Sequence, residues 1–286
     1  MFVIIGFVIV LVATIGGFIY AGGNPMALMH VSEFIVIGGI SLGVVVVSTP
    51  TSTIKLTMAL IMVSLKGGSK KDDYTDLLKL LYEMFMLARR SGVTALEDHV
   101  HDPAASALFQ KYPSFNNDHH RVAFLCSGLK PLIDGRIKPE QISELFEHEI
   151  EVMEEEHSGP IHVLQLVGDS LPGIGIVAAV LGIINTMASI AEGPEVVGEK
   201  VAAALTGTFL GILGAYGFVN PLAGRIKHNN LIELGYYNAI MKGVSCFATG
   251  MAPIMAVELA RRAFDHAVQP PGDELEAMLK GVGKDS

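Results

Sequence analysis

Ten histidines invite a search for metal chemistry. Six of them form the only clusters, His99-x-His101-Asp102, His119-His120, and His148 with His157. None has the HExxH spacing that sets two imidazoles and a base on one helix face, and none has a cysteine beside it, so no metal site is expected. Cys126 and Cys246 lie far apart and read as small buried residues rather than a disulfide framework. The sequence holds no P-loop, no GxGxxG after a strand and no GxSxG nucleophile elbow. An enzyme would have to be built around His99, His101 and Asp102. What remains is a set of polar groups inside long apolar stretches: Asn185, Thr186, Thr206, Thr208 and Tyr216. Their oxygens can serve water or an ion, although Thr hydroxyls in such helices also bond back to their own backbone. No acidic or basic residue lies in the middle of these stretches, and Glu33 and Asp169 sit at their edges. A proton path here therefore needs a titrating group from another chain, because hydroxyls cannot act as a carboxylate relay.

The stretches themselves are long enough to cross a bilayer. Residues 1–20 carry no charge, and a helix of about 20 residues reaches the roughly 30 Å of hydrocarbon. A signal peptide would have a charged leading segment, which is missing, so a retained span is expected. Residues 34–49, bounded by Glu33 and Pro50, include four consecutive valines; a lone strand in lipid would leave its backbone unpaired, so this block too is read as helix. Residues 171–191 and 201–224 complete four blocks. Small residues recur in the last two, including Gly207 and Gly211 four apart and Ala179, Gly182 and Thr186 on one side, which suits close helix packing. Pro172 would open the third span and Pro221 would close the fourth, each able to bend its helix.

Composition agrees. Half the residues are hydrophobic, 17% are charged and the mean hydropathy is +0.47, well short of the roughly 25% charged residues of a soluble domain. A formal charge of -9 and a pI near 5.5 exclude a nucleic-acid footprint. Of the 20 Lys+Arg, only Lys200 falls outside 55–138 and 225–284. By the positive-inside tendency those two segments and the N-terminus face the cytoplasm.

The fold class expected is all-α: a polytopic membrane protein with four transmembrane helices and a helical cytoplasmic domain. The organisation expected is a first transmembrane helix at 1–20, a periplasmic loop at 21–32 and a second helix at 33–50. The cytoplasmic helical domain takes 51–165, the third helix 166–191, a periplasmic loop 192–200 and the fourth helix 201–224, with a cytoplasmic helix and tail at 225–286. Within the cytoplasmic part, Leu77, Leu78, Leu80, Leu81, Met84 and Phe85 recur at helical spacing after Gly67-Gly68-Ser69 and stop near Arg89-Arg90-Ser91-Gly92. A second helix begins after Thr94, interrupted at Pro103. Pro139-Glu140 opens another, with Ile142, Phe146, Ile150 and Met153 on one face and a solvated acidic face opposite. Residues 231–266 continue the last span as a helix kinked at Pro253, and Pro270-Pro271-Gly272 ends regular structure, leaving a polar tail.

These residues carry a resemblance. Leu166-Val167-Gly168-Asp169-Ser170-Leu171-Pro172 and Gly175-Ile176-Val177-Ala178-Ala179-Val180 are joined by Gly207-Thr208-Phe209-Leu210-Gly211, Ala215-Tyr216-Gly217-Phe218 and Ala256-Val257-Glu258. In this the chain resembles the MotA family of flagellar-motor stator subunits, related to TolQ and ExbB, over nearly its whole length. The resemblance implies an inner-membrane proton channel formed with MotB, whose single transmembrane helix brings the titrating aspartate, in a ring of five A subunits around two B helices. Ion flow would drive torque on the rotor through its switch-complex protein FliG, with no cofactor and no catalysis. It further implies that Arg89, with Arg90 beside it, and Glu97 face the rotor, that Pro172 and Pro221 are hinges, and that Ala179, Thr186, Thr208 and Tyr216 line the ion pathway. Sodium-driven relatives carry Thr where this chain has Ala179, which implies protons as the coupling ion; Thr186 departs from the proton-driven pattern. The alternatives are an ExbB/TolQ-like subunit energising an envelope partner, a passive scaffold, and a polytopic membrane enzyme.

Overall fold

A computed structural model describes residues 2–66, 71–266 and 268–282, and among the described residues the chain is helical, with no strand. The helices are α1 (Phe2–Tyr20), α2 (Val31–Ser48), α3 (Thr51–Lys66), α4 (Lys71–Ser91), α5 (Glu97–His101), α6 (Ala107–Gln110), α7 (Pro113–Asn116), α8 (His119–Ile133), α9 (Ile142–Met187), α10 (Pro194–Leu213), α11 (Asn220–Ala248), α12 (Pro253–Arg262) and α13 (Gly272–Val282). Four helical stretches, Phe2–Tyr20, Pro25–Ser48, Pro139–Met187 and Pro194–Ala248, are long and apolar enough to cross a membrane. The chain divides into two compact units, Met1–Gly68 with Glu156–Asn229, and Ser69–Glu155 with Asn230–Ser286. The break expected at Gly67-Gly68-Ser69 lies outside the described residues.

The first unit is built as a membrane protein is. None of α1 is buried, and of α2 only Glu33 is, so most of their apolar side chains are exposed and the rest only half-buried. The ring of Phe7 on α1 meets that of Phe218 at 5.1 Å, and Leu164, Ala223 and Ile226 form a small apolar cluster with Leu60 and Ile61 of α3. Polar groups on α3 find partners rather than lipid: Asn229 donates to the Ser64 hydroxyl at 3.1 Å, and Thr57 donates to the Thr53 carbonyl at 2.7 Å.

The second unit has an interior of the soluble kind. Leu77, Leu78, Leu80, Leu81 and Met84 are fully buried, which makes α4 its central helix. Rings pack around it: Phe85 stacks on Phe247 at 4.4 Å, Tyr74 meets Phe264 edge-on at 4.9 Å, and Phe124 lies tilted against Phe146 at 4.9 Å. Gly128 admits that last ring, since a Cβ there would come within 2.0 Å of Phe146. Arg121, only 5% exposed, gives two hydrogen bonds to the Glu233 carboxylate at 2.8 and 3.0 Å and lies 3.9 Å over the Tyr236 ring. Asp118 accepts from the backbone of His120 and Arg121 to start α8 and also pairs with the Arg121 guanidinium at 3.3 Å. Cys126 is buried and its thiol is pushed up to about 12 by burial, with Lys130 opposing; Cys246 is half-buried and also free.

Several local expectations change. The acidic helix and the third apolar block are one helix, α9, running through both Pro160 and Pro172, so Pro172 lies inside a helix rather than at the start of one. A proline costs one hydrogen bond and a clash with the carbonyl four residues back, which tertiary packing of a 46-residue helix absorbs. Pro221 likewise does not end a helix: residues Gly214–Val219 form a π-helical turn and the chain continues as α11. The wider turn relieves the crowding that a proline brings to the turn before it. At Pro253 the helix breaks rather than kinks. α11 stops at Ala248, Gly250 takes φ +96°, where a side chain would be strained, and Pro253 opens α12 from its first turn. The tail after Pro271 is helical, because Leu275 and Leu279 sit one turn apart and both bury. The helix expected after Thr94 is a 3-10 turn, Val93–Leu96, followed by the short α5, which ends at His101 ahead of Pro103.

Two expectations follow from this packing. Arg121→Ala strands the Glu233 carboxylate and should lower stability by about 3–5 kcal/mol, whereas Arg121→Met with Glu233→Leu should cost far less; thermal unfolding of the detergent-solubilised full chain, followed by circular dichroism, checks both. Glu258 accepts from Arg261 at 2.7 Å and from Arg262 at 2.8 Å, and these bonds hold its carboxyl down at about 2. The folded value lies below the ordinary 4.5, so the stabilisation is complete above 4.5 and is lost as pH falls toward about 2. The gap in melting temperature between the parent chain and Glu258→Gln should therefore shrink across that interval.

Candidate functional site

In the first unit, α9 and α10 touch backbone to backbone. A Cβ on Gly175 would lie 2.8 Å from the Gly207 carbonyl oxygen and 3.2 Å from the Thr208 Cα, and one on Gly211 would lie 2.5 Å from the Leu171 carbonyl oxygen. Further along, a Cβ on Gly182 would meet the Ala204 Cβ at 2.7 Å. The seam thus runs from Leu171 past Gly175 and Ala178 to Gly182 on one helix and from Gly211 back to Ala204 on the other. Hydrocarbon offers no hydrophobic drive for helices to associate, so contact of this closeness, through dispersion and aligned dipoles, is what holds them.

The seam brings some expected pathway residues together and leaves others apart. Ala179 is buried against Gly207, and Thr208, half-buried, borders Gly175, so these two flank one close contact. Thr186 is fully buried near the end of α9 and donates to the Gly182 carbonyl at 2.8 Å, which leaves its hydroxyl oxygen as the available acceptor. Tyr216 lies in the π-turn and is 67% exposed. Thr206 donates to its own helix at Ala202, 3.0 Å, and reaches the Ala27 carbonyl at 3.4 Å. Lys200 is engaged near the other end, with the Ser189 hydroxyl and with Glu192 at 3.8 Å.

Pro172 and Pro221 both fall inside helices, and they are linked. Asn220, just before Pro221, fills the space at Gly168, where a Cβ would come within 1.8 Å of its Oδ1. Gly168 is also the residue whose carbonyl Pro172 leaves without a helical donor. Pro172 is half-buried and Pro221 exposed.

In the second unit, Arg89 and Arg90 end α4, Gly92 turns the chain at φ +86°, and Glu97 opens α5. All three charged residues are exposed and make no ion pair among the described residues. An open cavity of about 280 Å³ adjoins this corner, lined by Tyr82, Met86, Leu87, Arg90, His99 and Leu108 among others. The histidine cluster has ordinary loop duties: His99 Nδ1 lies 2.8 Å from the Ser106 hydroxyl, and Asp102 accepts from the Ala105 backbone. Among the described residues no group of three His, Cys, Asp or Glu is arranged to hold a metal ion.

Three features escaped the sequence reading. Pro160 lies inside α9 unnoticed among acidic residues. Arg121 looks like any surface arginine, because its partner Glu233 is distant in sequence. Glu33, expected at the edge of a span, points instead into the seam, with Oε2 only 2.6 Å from where a Gly207 Cβ would be. The one sequence signal for this was Gly207 itself.

Comparison with known proteins places the chain among relatives. Residues 4–92 match the family described as Motility protein A N-terminal, and residues 116–238 match the MotA/TolQ/ExbB proton channel family. Motility protein A of Salmonella typhimurium is 34% identical over 283 residues, covering 99% of this chain and 96% of the relative, and that of Escherichia coli K12 gives the same figures. The chemotaxis protein LafT of Vibrio parahaemolyticus is 29% identical over 276 residues, covering 96% and 97%. Among solved structures, the flagellar MotAB stator complex from Bacillus subtilis aligns with a TM-score of 0.75 and 25% identity over 96% of this chain and 98% of that one. The structure of C. jejuni MotAB aligns with a TM-score of 0.77 and 24% identity over 92% and 95%.

The seam makes a sharp expectation. Gly211→Ala drives a methyl group into the Leu171 carbonyl and should reduce assembly and thermal stability, while Gly6→Ala, with open space around it, should be neutral or gain about 0.5–1 kcal/mol from helix propensity. Melting temperature and size-exclusion profile of the two variants check this.

Proposed function

This chain belongs to the motility protein A family, and from that premise we propose that it is a stator subunit of the bacterial flagellar motor, forming with MotB a proton channel that turns ion flow into torque on the rotor. The observation that carries the reading is the seam: α9 and α10 meet through glycine and alanine, and residues 170–191 and 201–224 contain no acidic or basic side chain. A path along such a wall needs a titrating group brought by a partner, the part that the aspartate of the MotB helix would take. The match of residues 4–92 to the Motility protein A N-terminal family favours a motor over an ExbB/TolQ-like energiser.

The finer assignments follow from the same reading. The chain sits in the inner membrane with both termini in the cytoplasm, so that residues 21–32 and 192–200 face the periplasm, in keeping with the distribution of Lys and Arg. Residues 51–165 and 225–286 form the cytoplasmic part. Five copies surround two MotB helices. Arg89, Arg90 and Glu97, exposed and without an ion pair among the described residues, meet the switch protein FliG by charge. Ala179 and Thr208 border the ion path at the seam, with Thr186 toward one end and Tyr216 toward the other. Protons, rather than sodium, are the coupling ion.

Pro172 and Pro221 supply the mechanical element. Each removes a backbone hydrogen bond, and Asn220 packed at Gly168 couples the two weak points. One charge falling through 100 mV releases about 2.3 kcal/mol, enough to shift a two-state bend about fiftyfold. The role is mechanical and ion-driven, with no chemical reaction assigned to any residue.

Cells lacking their own stator, complemented with this chain and MotB, should swim in sodium-free medium and stop when a protonophore is added. Pro172→Ala should abolish swimming, and Glu97→Lys should slow it and be partly rescued by a compensating charge reversal in FliG. Replacement of His99 should leave swimming near normal. Swimming that depends on sodium would overturn the choice of ion, and no swimming with a correctly inserted chain would overturn the motor reading.

A further inference from the structure

Glu33 lies in the first turn of α2, inside a candidate span, and is only 5% exposed. Its Oε2 is buried and has no hydrogen-bond partner among the described residues. It occupies the hollow left by the missing side chain of Gly207, at the point where a Cβ there would also meet the Ala178 Cβ at 3.0 Å and the Ala179 backbone nitrogen at 3.2 Å. Three helices therefore converge on one carboxyl oxygen, beside Ala179 and one residue from Thr206 and Thr208.

The charged groups around it do not neutralise it. On its own element His30 acts on it electrostatically and the Ser32 hydroxyl hydrogen-bonds it. On α10 the nearest titratable residue in sequence is Lys200, two turns before Gly207 and engaged with Ser189 and Glu192. On α9 it is Asp169, more than two turns before Ala178, and the segment Pro25–Leu28, which Thr206 touches, has none. If the side chain served only to fill space, a leucine would do so without the cost of an orphaned polar atom. The N-terminal turn of α2 supports the ionised form and enclosure away from water supports the neutral one, so both forms are within reach. An ionisable group held within a membrane span in this way is characteristic of an ion path.

We propose that Glu33 is a proton-holding site of this chain, lying on the periplasmic side of the MotB aspartate and passing protons along the Gly207 seam toward it. This deepens the stator reading and rests on it. The carboxylate takes one proton at Oε2 to become the neutral acid, then gives it up to water or to the partner carboxylate and returns to its starting state. The seam thus contributes an acid of its own at the entrance, where the sequence alone indicated a wall of hydroxyls and small residues.

The test uses the full-length complex with MotB in liposomes, with proton uptake driven by a potassium diffusion potential and read by an enclosed pH dye, in sodium-free buffer. Glu33→Gln keeps the shape and loses the titration; it should assemble normally and lower uptake by about 100-fold, the low end for loss of a positioned proton carrier. Glu33→Asp should recover part of the rate. Infrared difference spectra across a pH titration should show a protonated-carboxyl carbonyl band that is absent in Glu33→Gln and shifted in Glu33→Asp. Unchanged uptake in an assembled Glu33→Gln complex, or no such band in the parent, would overturn the proposal. If the parent complex takes up no protons at all, the stator reading is what fails, and the carboxyl band alone then decides whether Glu33 holds a proton. If Glu33→Gln does not assemble, Glu33→Asp makes the comparison: a shifted band with measurable uptake supports the site, and an unshifted band excludes it.

Discussion

Two helix backbones in direct contact, with no side chain between them, set the terms for the rest of the first unit. Gly175, Gly207 and Gly211 allow it: a Cβ on Gly175 or Gly211 would run into main-chain atoms of the facing helix, and one on Gly207 would meet the Glu33 carboxyl and the Ala178 methyl. In lipid the gain from such closeness is dispersion and dipole alignment rather than release of water, and it falls off steeply with distance. Ala179, Thr208 and Glu33 have their neighbours only because the helices meet here. The outward side chains of α1 and α2 are free to vary in comparison, since they need only be apolar.

The second unit is held by the opposite physics. Its core is made of leucines and aromatic rings taken from water, and Arg121, the one buried charge among its described residues, is matched by Glu233 and lies over a tyrosine ring. A chain that must both sit in a bilayer and bear force outside it has to use both kinds of packing. α9 and α11 belong to both units, so the same continuous helices are glycine-smoothed in one part and studded with rings or carboxylates in the other.

Much of this was legible in the residues. Four apolar blocks, the end of α4 at Ser91, helical structure after Thr94 that stops before Pro103 and the opening of α9 after Pro139 all followed from periodicity and caps, which are local signals. The misjudged elements are those where packing overrides a local rule. Pro160 and Pro172 are helix breakers by themselves, yet stay inside α9 because its length and neighbours outweigh a lost hydrogen bond. Glycine at 250 and not proline at 253 ends α11, since only the glycine supplies the left-handed turn. Leu275 and Leu279 were too few to mark a helix until the surface they bury against was known. Ala179 and Thr208 were picked out as neighbours of one path and do flank one contact, whereas the convergence on Glu33 depends on a residue with no side chain, 174 positions away.

The π-turn at Gly214–Val219 has a consequence for how this helix keeps its two ends in line. Buried Ala204, Gly207, Gly211 and Ala215 recur every three or four residues, and Ala223 rejoins them beyond the turn. Five turns of ideal helix use about 18 residues, one fewer than separate Ala204 from Ala223, and the surplus residue would swing the lower face about 100° off line if nothing absorbed it. The wide turn takes up that residue. It is the point at which this long helix holds one residue more than an ideal helix would while the faces on either side stay in phase.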